Sequence, residues 1–245
     1  MTDTAATPPA TPGLLGRAIG MIFSPTATFP SVISPPRPVG ILFLVCLVMG
    51  LATGGPQLTE AGKRATLEMQ VEQIERFTGQ PVAPEQYTQM ERGASFTAYI
   101  TMASMFVFIP FMTVFFSALY WAFFNIVLGG NANFSQVLTV TAHATVITAL
   151  GTALGAPIQM MQGSFSQAGP FNLGALAPML EPDSGMALFL GTVTFFGLWQ
   201  TVVNGIGLGI LYRRAATGII IGLLTIYLGV TALFTVGLSS VMGGN

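Results

Sequence analysis

From residue 97 to residue 128 no side chain carries a charge. A helix crossing a bilayer needs roughly 20 mostly apolar residues. Five runs of that kind occur, at about 39–55, 97–128, 135–160, 186–211 and 216–240, and none has Asp, Glu, Lys or Arg in its interior. In hydrocarbon the backbone must satisfy its own hydrogen bonds, so continuous apolar runs of this length become helices. The alternating short segments of a membrane barrel are absent from them. Only 7% of the residues are charged and mean hydropathy is +0.70, too few charges to cover a water-soluble surface. The sequence therefore predicts an all-α, polytopic membrane protein with five transmembrane helices. Pro110 predicts a kink in the second span.

Between the spans the connections differ. GGNANFS is a tight turn, and YRRAATG separates the last two spans. The segment QGSFSQAGPFNLGALAPMLEPDSG is longer, and its NLGALAPML portion suits a short surface helix. Ahead of the first span, Leu14, Leu15, Ala18, Ile19 and Ile22 recur at helical spacing with Arg17 as the sole charge. Ser24-Pro25 then predicts a second helix start, with Ser24 as N-cap. One or two interfacial helices follow from this pattern, as does a simple linker. Residues 1–13 are expected to be a disordered tail, with residues 14–245 forming one membrane domain. The amino end lacks the pattern of a cleavable signal peptide, so the first span is expected to direct membrane insertion.

The charge is gathered in one place. Of eight basic and nine acidic residues, ten lie between Glu60 and Arg92. Thr59 begins a helix there; Glu60/Arg64 and Glu72/Arg76 stand four apart in the favourable order. Leu67, Val71 and Ile74 make an apolar stripe, and Gly79 followed by Pro81 ends the helix. A second helix begins near Pro84 and is able to run into the second span. This predicts an extramembrane helical hairpin at about 56–95, either packed on the spans as a cap or presenting its stripe to a partner or a second copy.

Net charge is −1, without the basic clusters that nucleic acid requires. The single cysteine, Cys46, excludes an internal disulfide. No phosphate-binding, dinucleotide, zinc-protease or nucleophile-elbow motif occurs. No cofactor, metal, catalytic residue or small-molecule substrate is expected, and the chain reads as a non-enzyme. The intramembrane polar residues are Asn125, Gln136, His143, Gln200 and Asn204. An ionisable group in a span is a functional candidate by default, but His143 has no carboxylate or thiolate in any span to work with. Helix–helix hydrogen bonding is the reading favoured for this set, with a transport path lined by Asn125, His143, Gln200 and Asn204 as the alternative. Arg213 and Arg214 anchor the topology, or contact anionic lipid or a partner's acidic surface. With five spans and the amino end in the cytoplasm, four basic residues fall on each side. The short Arg213-Arg214 turn favours this orientation, as does the lack of basic residues in the loop before the fourth span.

Several stretches taken together resemble one family. Phe23-Ser24-Pro25 with Phe29 precedes the short first span. Gly129-Gly130 is followed by Phe134, Gln136 and Val137, and Tyr212-Arg213-Arg214 separates the last two spans. These are similar to bacterial members of the Yip-type (Ypt/Rab-interacting protein) membrane domain family, over about residues 14–240. The resemblance implies five membrane helices with the amino end in the cytoplasm of a bacterial inner membrane. Eukaryotic relatives associate with small GTPases in vesicle trafficking. This chain lacks the large cytosolic segment that would engage a GTPase, so that role is not carried over. The expected role is a membrane scaffold or interaction protein, with lipids, a membrane protein or another copy as partner. A transporter or channel subunit is the alternative.

Overall fold

A computed structural model describes residues 13–163, 169–181 and 184–242. The expected tail lies almost entirely outside them. Among the described residues the fold is all-helical. The order is α1 (Leu14–Phe23), α2 (Pro25–Ile33), α3 (Pro38–Gly54), α4 (Glu60–Thr78), α5 (Pro84–Ala122), α6 (Phe134–Gln162), α7 (Gly185–Thr192), α8 (Phe195–Tyr212) and α9 (Ala216–Met242). A π-helical turn, Phe123–Val127, extends α5. Four stretches are long and apolar enough to cross a membrane: Phe96–Val127, Phe134–Gln162, Phe195–Tyr212 and Ala216–Thr235. The chain is a multi-pass membrane protein. At 17 residues, α3 is shorter than these four.

The centre of the bundle is α6, which packs against α3, α5, α8 and the amino-terminal helices. In its most apolar stretch 61% of the residues are buried, against 17% in α5 and 6% in α9. The contrast places α5 and α9 at the periphery, with their apolar side chains outward. Lipid is as apolar as leucine, so helices gain little from hiding hydrophobic surface from it. They associate through close packing and hydrogen bonds instead.

Glycine provides that close packing at four seams. A Cβ on Gly54 would lie 2.8 Å from the Ala98 carbonyl oxygen, and one on Gly50 would lie 3.2 Å from that of Met102, so α3 meets the α5 backbone directly. Gly205 and Gly209 do the same for α8 against Ile220 and Ala216 of α9. Gly151 receives the Phe196 ring. Gly207 lies under Phe29, whose ring would be 2.7 Å from an added Cβ, with Val140 of α6 at 2.5 Å. Thus α2 is not a surface element: Phe29 and Val32 are fully buried against the bundle. By contrast, Gly218 and Gly222, one turn apart on α9, have nothing within 4 Å.

Several expectations are corrected. The run 186–211 is not one helix. Thr192-Val193-Thr194 is rich in β-branched residues, which favour extended backbone, and Thr194 caps α8 by accepting from Gly197 N at 3.0 Å. The extended link pairs with the preceding loop through Leu173 N to Val193 O and Phe195 N to Phe171 O, each 2.9 Å. Ser24 precedes α2, but its side chain makes no cap bond. Its carbonyl instead accepts from the Thr28 hydroxyl at 2.9 Å.

In α4, Thr59 accepts from Gly62 N at 3.0 Å, and Gly79 closes the helix at φ 68°. Glu72 pairs with Arg76 at 3.0 Å, whereas Glu60 pairs with Lys63 at 2.8 Å rather than with Arg64. That Lys63 hydrogen bond holds the exposed Glu60 carboxyl below its ordinary range. The second helix of the charged region begins at Pro84 and continues into the spanning stretch. It forms one helix of 39 residues, about 58 Å long.

The seams predict opposite responses to substitution. Gly207→Val should destabilise by roughly 1–3 kcal/mol through overpacking, and by less in a Phe29→Ala background, where one obstacle is gone. Gly222→Ala should stabilise by about 0.5–1 kcal/mol, the helix-propensity difference. Thermal unfolding in detergent measures both.

Candidate functional site

The α6/α8 pair carries most of the intramembrane polar groups. Three contacts set its antiparallel register: Val140 with Gly207, Thr148 with Gln200, and Gly151 with Phe196. By that register residues 143 and 204 stand at the same level. The Thr148 hydroxyl donates to Gln200 Oε1, joining the two helices. His143 is fully buried. Its Nδ1 is 2.8 Å from the Thr139 carbonyl one turn earlier. A carbonyl only accepts, so Nδ1 carries the proton, and in the neutral ring Nε2 is a bare acceptor. Nε2 has no partner among the described residues, and neither has Oδ1 of Asn204, which is 4% exposed.

Asn125 lies elsewhere, in the π-helical turn after α5. Its Nδ2 and Trp121 Nε1 both donate to the Ala132 carbonyl, at 2.6 and 3.1 Å. Gln136, expected to join helices, instead accepts from the Asn133 backbone N–H at 3.1 Å and closes a capping box at the start of α6. Of the four candidate path residues, His143, Gln200 and Asn204 thus lie near one level of the α6/α8 pair, and Asn125 lies apart from them. Gln200 faces Thr148, Asn125 closes a loop, and no hydrogen bond joins His143 to Asn204.

Arg213 and Arg214 belong to a second assembly at the end of the bundle. Arg213 takes the left-handed conformation at φ 53° to close α8, and its side chain is exposed. Arg214 Nη2 donates to the Leu128 carbonyl at 2.8 Å, tying the α8–α9 turn to the α5–α6 turn. Beside this bond the Tyr212 ring stacks on Phe124 at 4.6 Å. Gly130 lies where a Cβ would meet the Tyr212 ring at 2.6 Å. Both side chains are exposed, and Arg214 is the one bonded across to the other turn.

Sequence reasoning missed Arg17. It belongs to α1, which packs on α6, and its neighbours Ala18 and Met21 are in the core. The Nε and Nη1 atoms of Arg17 are buried and have no partner among the described residues. Only the packing of α1 reveals it: Arg17 shares the face of Met21, one turn on, and that face turns inward. Among the described residues no three His, Cys, Asp or Glu side chains gather as metal ligands would.

A Thr148→Val, Gln200→Leu double-mutant cycle should give a coupling of about 0.6 kcal/mol, the usual size of an interhelical side-chain bond in a membrane. Unfolding of the four proteins in the same detergent measures it.

Compared with known proteins, residues 19–239 match the family model described as the Yip1 domain. No curated protein and no solved structure matches the chain.

Proposed function

The chain belongs to the Yip1 domain family, and from that premise we propose that it is a membrane scaffold or interaction protein without enzymatic activity. The observation that carries this reading is where the polar groups of the spans are bonded. Gln200 ties α6 to α8, and Asn125 and Arg214 tie the turns at one end. These bonds fix the bundle, while α5 and α9 leave long apolar faces outward for lipid or a partner helix. The partner is a second membrane protein, another copy, or the surrounding lipid, with Arg213 and Arg214 the exposed cations at the turn.

The finer topology belongs to the same proposal. α3 is the first of five spans. At 17 residues it reaches about 25 Å, and it buries Ile41, Val45 and Gly50 against its neighbours. Val39, Phe43 and Leu51 face outward along its other side, where lipid would lie. The amino end and the Arg213-Arg214 turn are cytoplasmic in a bacterial inner membrane. α4 and the first turns of α5 form a helical hairpin on the outer side. A transporter or channel subunit is the second reading, supported by the unpaired atoms of His143 and Asn204 at one level of the bundle.

Purification in mild detergent tests the scaffold role: a specific co-purifying membrane protein or a defined oligomer is expected. Solute or ion flux in liposomes that is abolished by His143→Ala would instead establish the transport reading. For topology, Gln73→Cys in a Cys46→Ser background should react with an impermeant thiol reagent applied to intact cells. Reaction only after lysis would invert the orientation.

A further inference from the structure

Charge is scarce in this chain, and its placement separates the surfaces that meet water from those that do not. Ten charged residues are gathered from Glu60 to Arg92, whereas between Arg92 and Arg213 the only Asp, Glu, Lys or Arg are Glu181 and Asp183. The connection from α6 to α8 therefore runs from Met160 to Leu180 without a charge. It nevertheless holds large apolar side chains outside. Leu176 is 77% exposed, Met179 80%, and Met186 on the first turn of α7 58%. Met161 near the end of α6 and Phe195 at the start of α8 are exposed as well. Apolar surface is thus carried by the connection and by both helices it joins, and those helices are two of the spanning stretches.

The connection is firmly seated, and its peptide groups are paired from within. Pro170 lies 3.0 Å from where a Cβ on Gly155 would stand, so the chain rests on α6. The Phe171 ring meets Phe196 of α8 edge-on at 5.1 Å. The backbones of Phe171 and Leu173 bond to the link before α8. Asn172 Oδ1 accepts from Ala175 N at 3.0 Å, and its Nδ2 donates to the Gly169 carbonyl at 2.7 Å. Ala177 N donates to Gly174 O and Leu180 N to Ala177 O, at 3.0 and 3.2 Å. The 3-10 turn Leu173–Leu176 packs on α7. Backbone paired in this way tolerates a medium poor in water. Irregular backbone facing lipid stays out of the hydrocarbon core, however, so the level open to this segment is the boundary between headgroups and acyl chains.

We propose that the segment from Gly169 to Leu180, with the first turn of α7, is seated in the bilayer leaflet at this end of the bundle. Leu176, Met179 and Met186 enter the headgroup–acyl boundary, where the apolar faces of surface-lying elements sit about 5–10 Å deep. Glu181, exposed directly after Leu180, marks the return to water. Lipid is the occupant because the exposed side chains continue the apolar surface of the two spans that the segment joins. The seat depends on the multi-pass architecture. It depends neither on the scaffold role nor on which end is cytoplasmic, so the failure of either leaves it standing.

The test uses the full chain in phosphatidylcholine nanodiscs, in a Cys46→Ser background, with a nitroxide label attached through Leu176→Cys or Met179→Cys. Gln73→Cys on the exposed side of α4 is the reference for water, and Phe108→Cys on the outward face of α5 the reference for lipid. Electron paramagnetic resonance power saturation reads collisions with oxygen, which concentrates in lipid, and with a nickel chelate, which stays in water. At both positions the ratio of oxygen to chelate collisions should lie nearer to that of Phe108→Cys than to that of Gln73→Cys. A ratio equal to that of Gln73→Cys places the segment in water and overturns the proposal. Protection from both reagents also overturns it, by assigning the surface to a partner protein or a second copy. If either variant does not fold, Met186→Cys takes its place with the same expected and overturning ratios.

Discussion

Helices in lipid are held by contact at short range, and in this protein contact is made where a side chain is missing. The α3 backbone meets α5 at Gly50 and Gly54, and α8 meets α9 at Gly205 and Gly209. At Gly207 three elements converge, because the Phe29 ring of α2 and Val140 of α6 use the space a side chain would take. Remove that space and α2 loses its seat, and with it the burial of Phe29 and Val32. The rest of the bundle depends on this economy, because dispersion between well-packed atoms is what distinguishes a helix neighbour from a lipid chain.

Family resemblance and structure meet at the same residues. The Phe23-Ser24-Pro25 stretch delivers Phe29 to Gly207. The Gly129-Gly130 turn leaves room for the Tyr212 ring, and the basic turn after Tyr212 reaches back to Leu128. Three short motifs far apart in sequence are thus parts of one interlock, at the end of the bundle that holds α1 and α2. The match with the Yip1 domain spans residues 19–239 and so includes all three.

Much of the fold was legible because long apolar runs have few alternatives in hydrocarbon. The Thr59 and Gly79 boundaries of α4 could be read because capping chemistry is local. The break between α7 and α8 was not legible: its hydrogen bonds come from Phe171 and Leu173, some twenty residues away, and no window of hydropathy reports them. Glu60 chose Lys63 over Arg64 because three and four residues are both within reach on a helix. At the candidate site, the sequence ranked His143 and Asn204 as polar intruders, yet could not say that Arg17 turns inward. Facing on a short helix is decided by what it packs against, and Ala18 and Met21 reveal it only once α6 is in place.

The break before α8 has a consequence for the bilayer itself. It trims that span to 18 residues, about 27 Å, beside an α6 of 29 residues, about 43 Å. A typical hydrocarbon core is about 30 Å thick. Around α8 the lipid must thin slightly to match, whereas α6 has length to spare at its ends. The Val193-Thr194 link keeps its backbone bonded to Phe171 and Leu173, so peptide groups freed by the break stay paired. The thickness of the surrounding membrane is therefore a variable to which this bundle is fitted on one side, and thinner membranes suit it better than thick, sterol-rich ones.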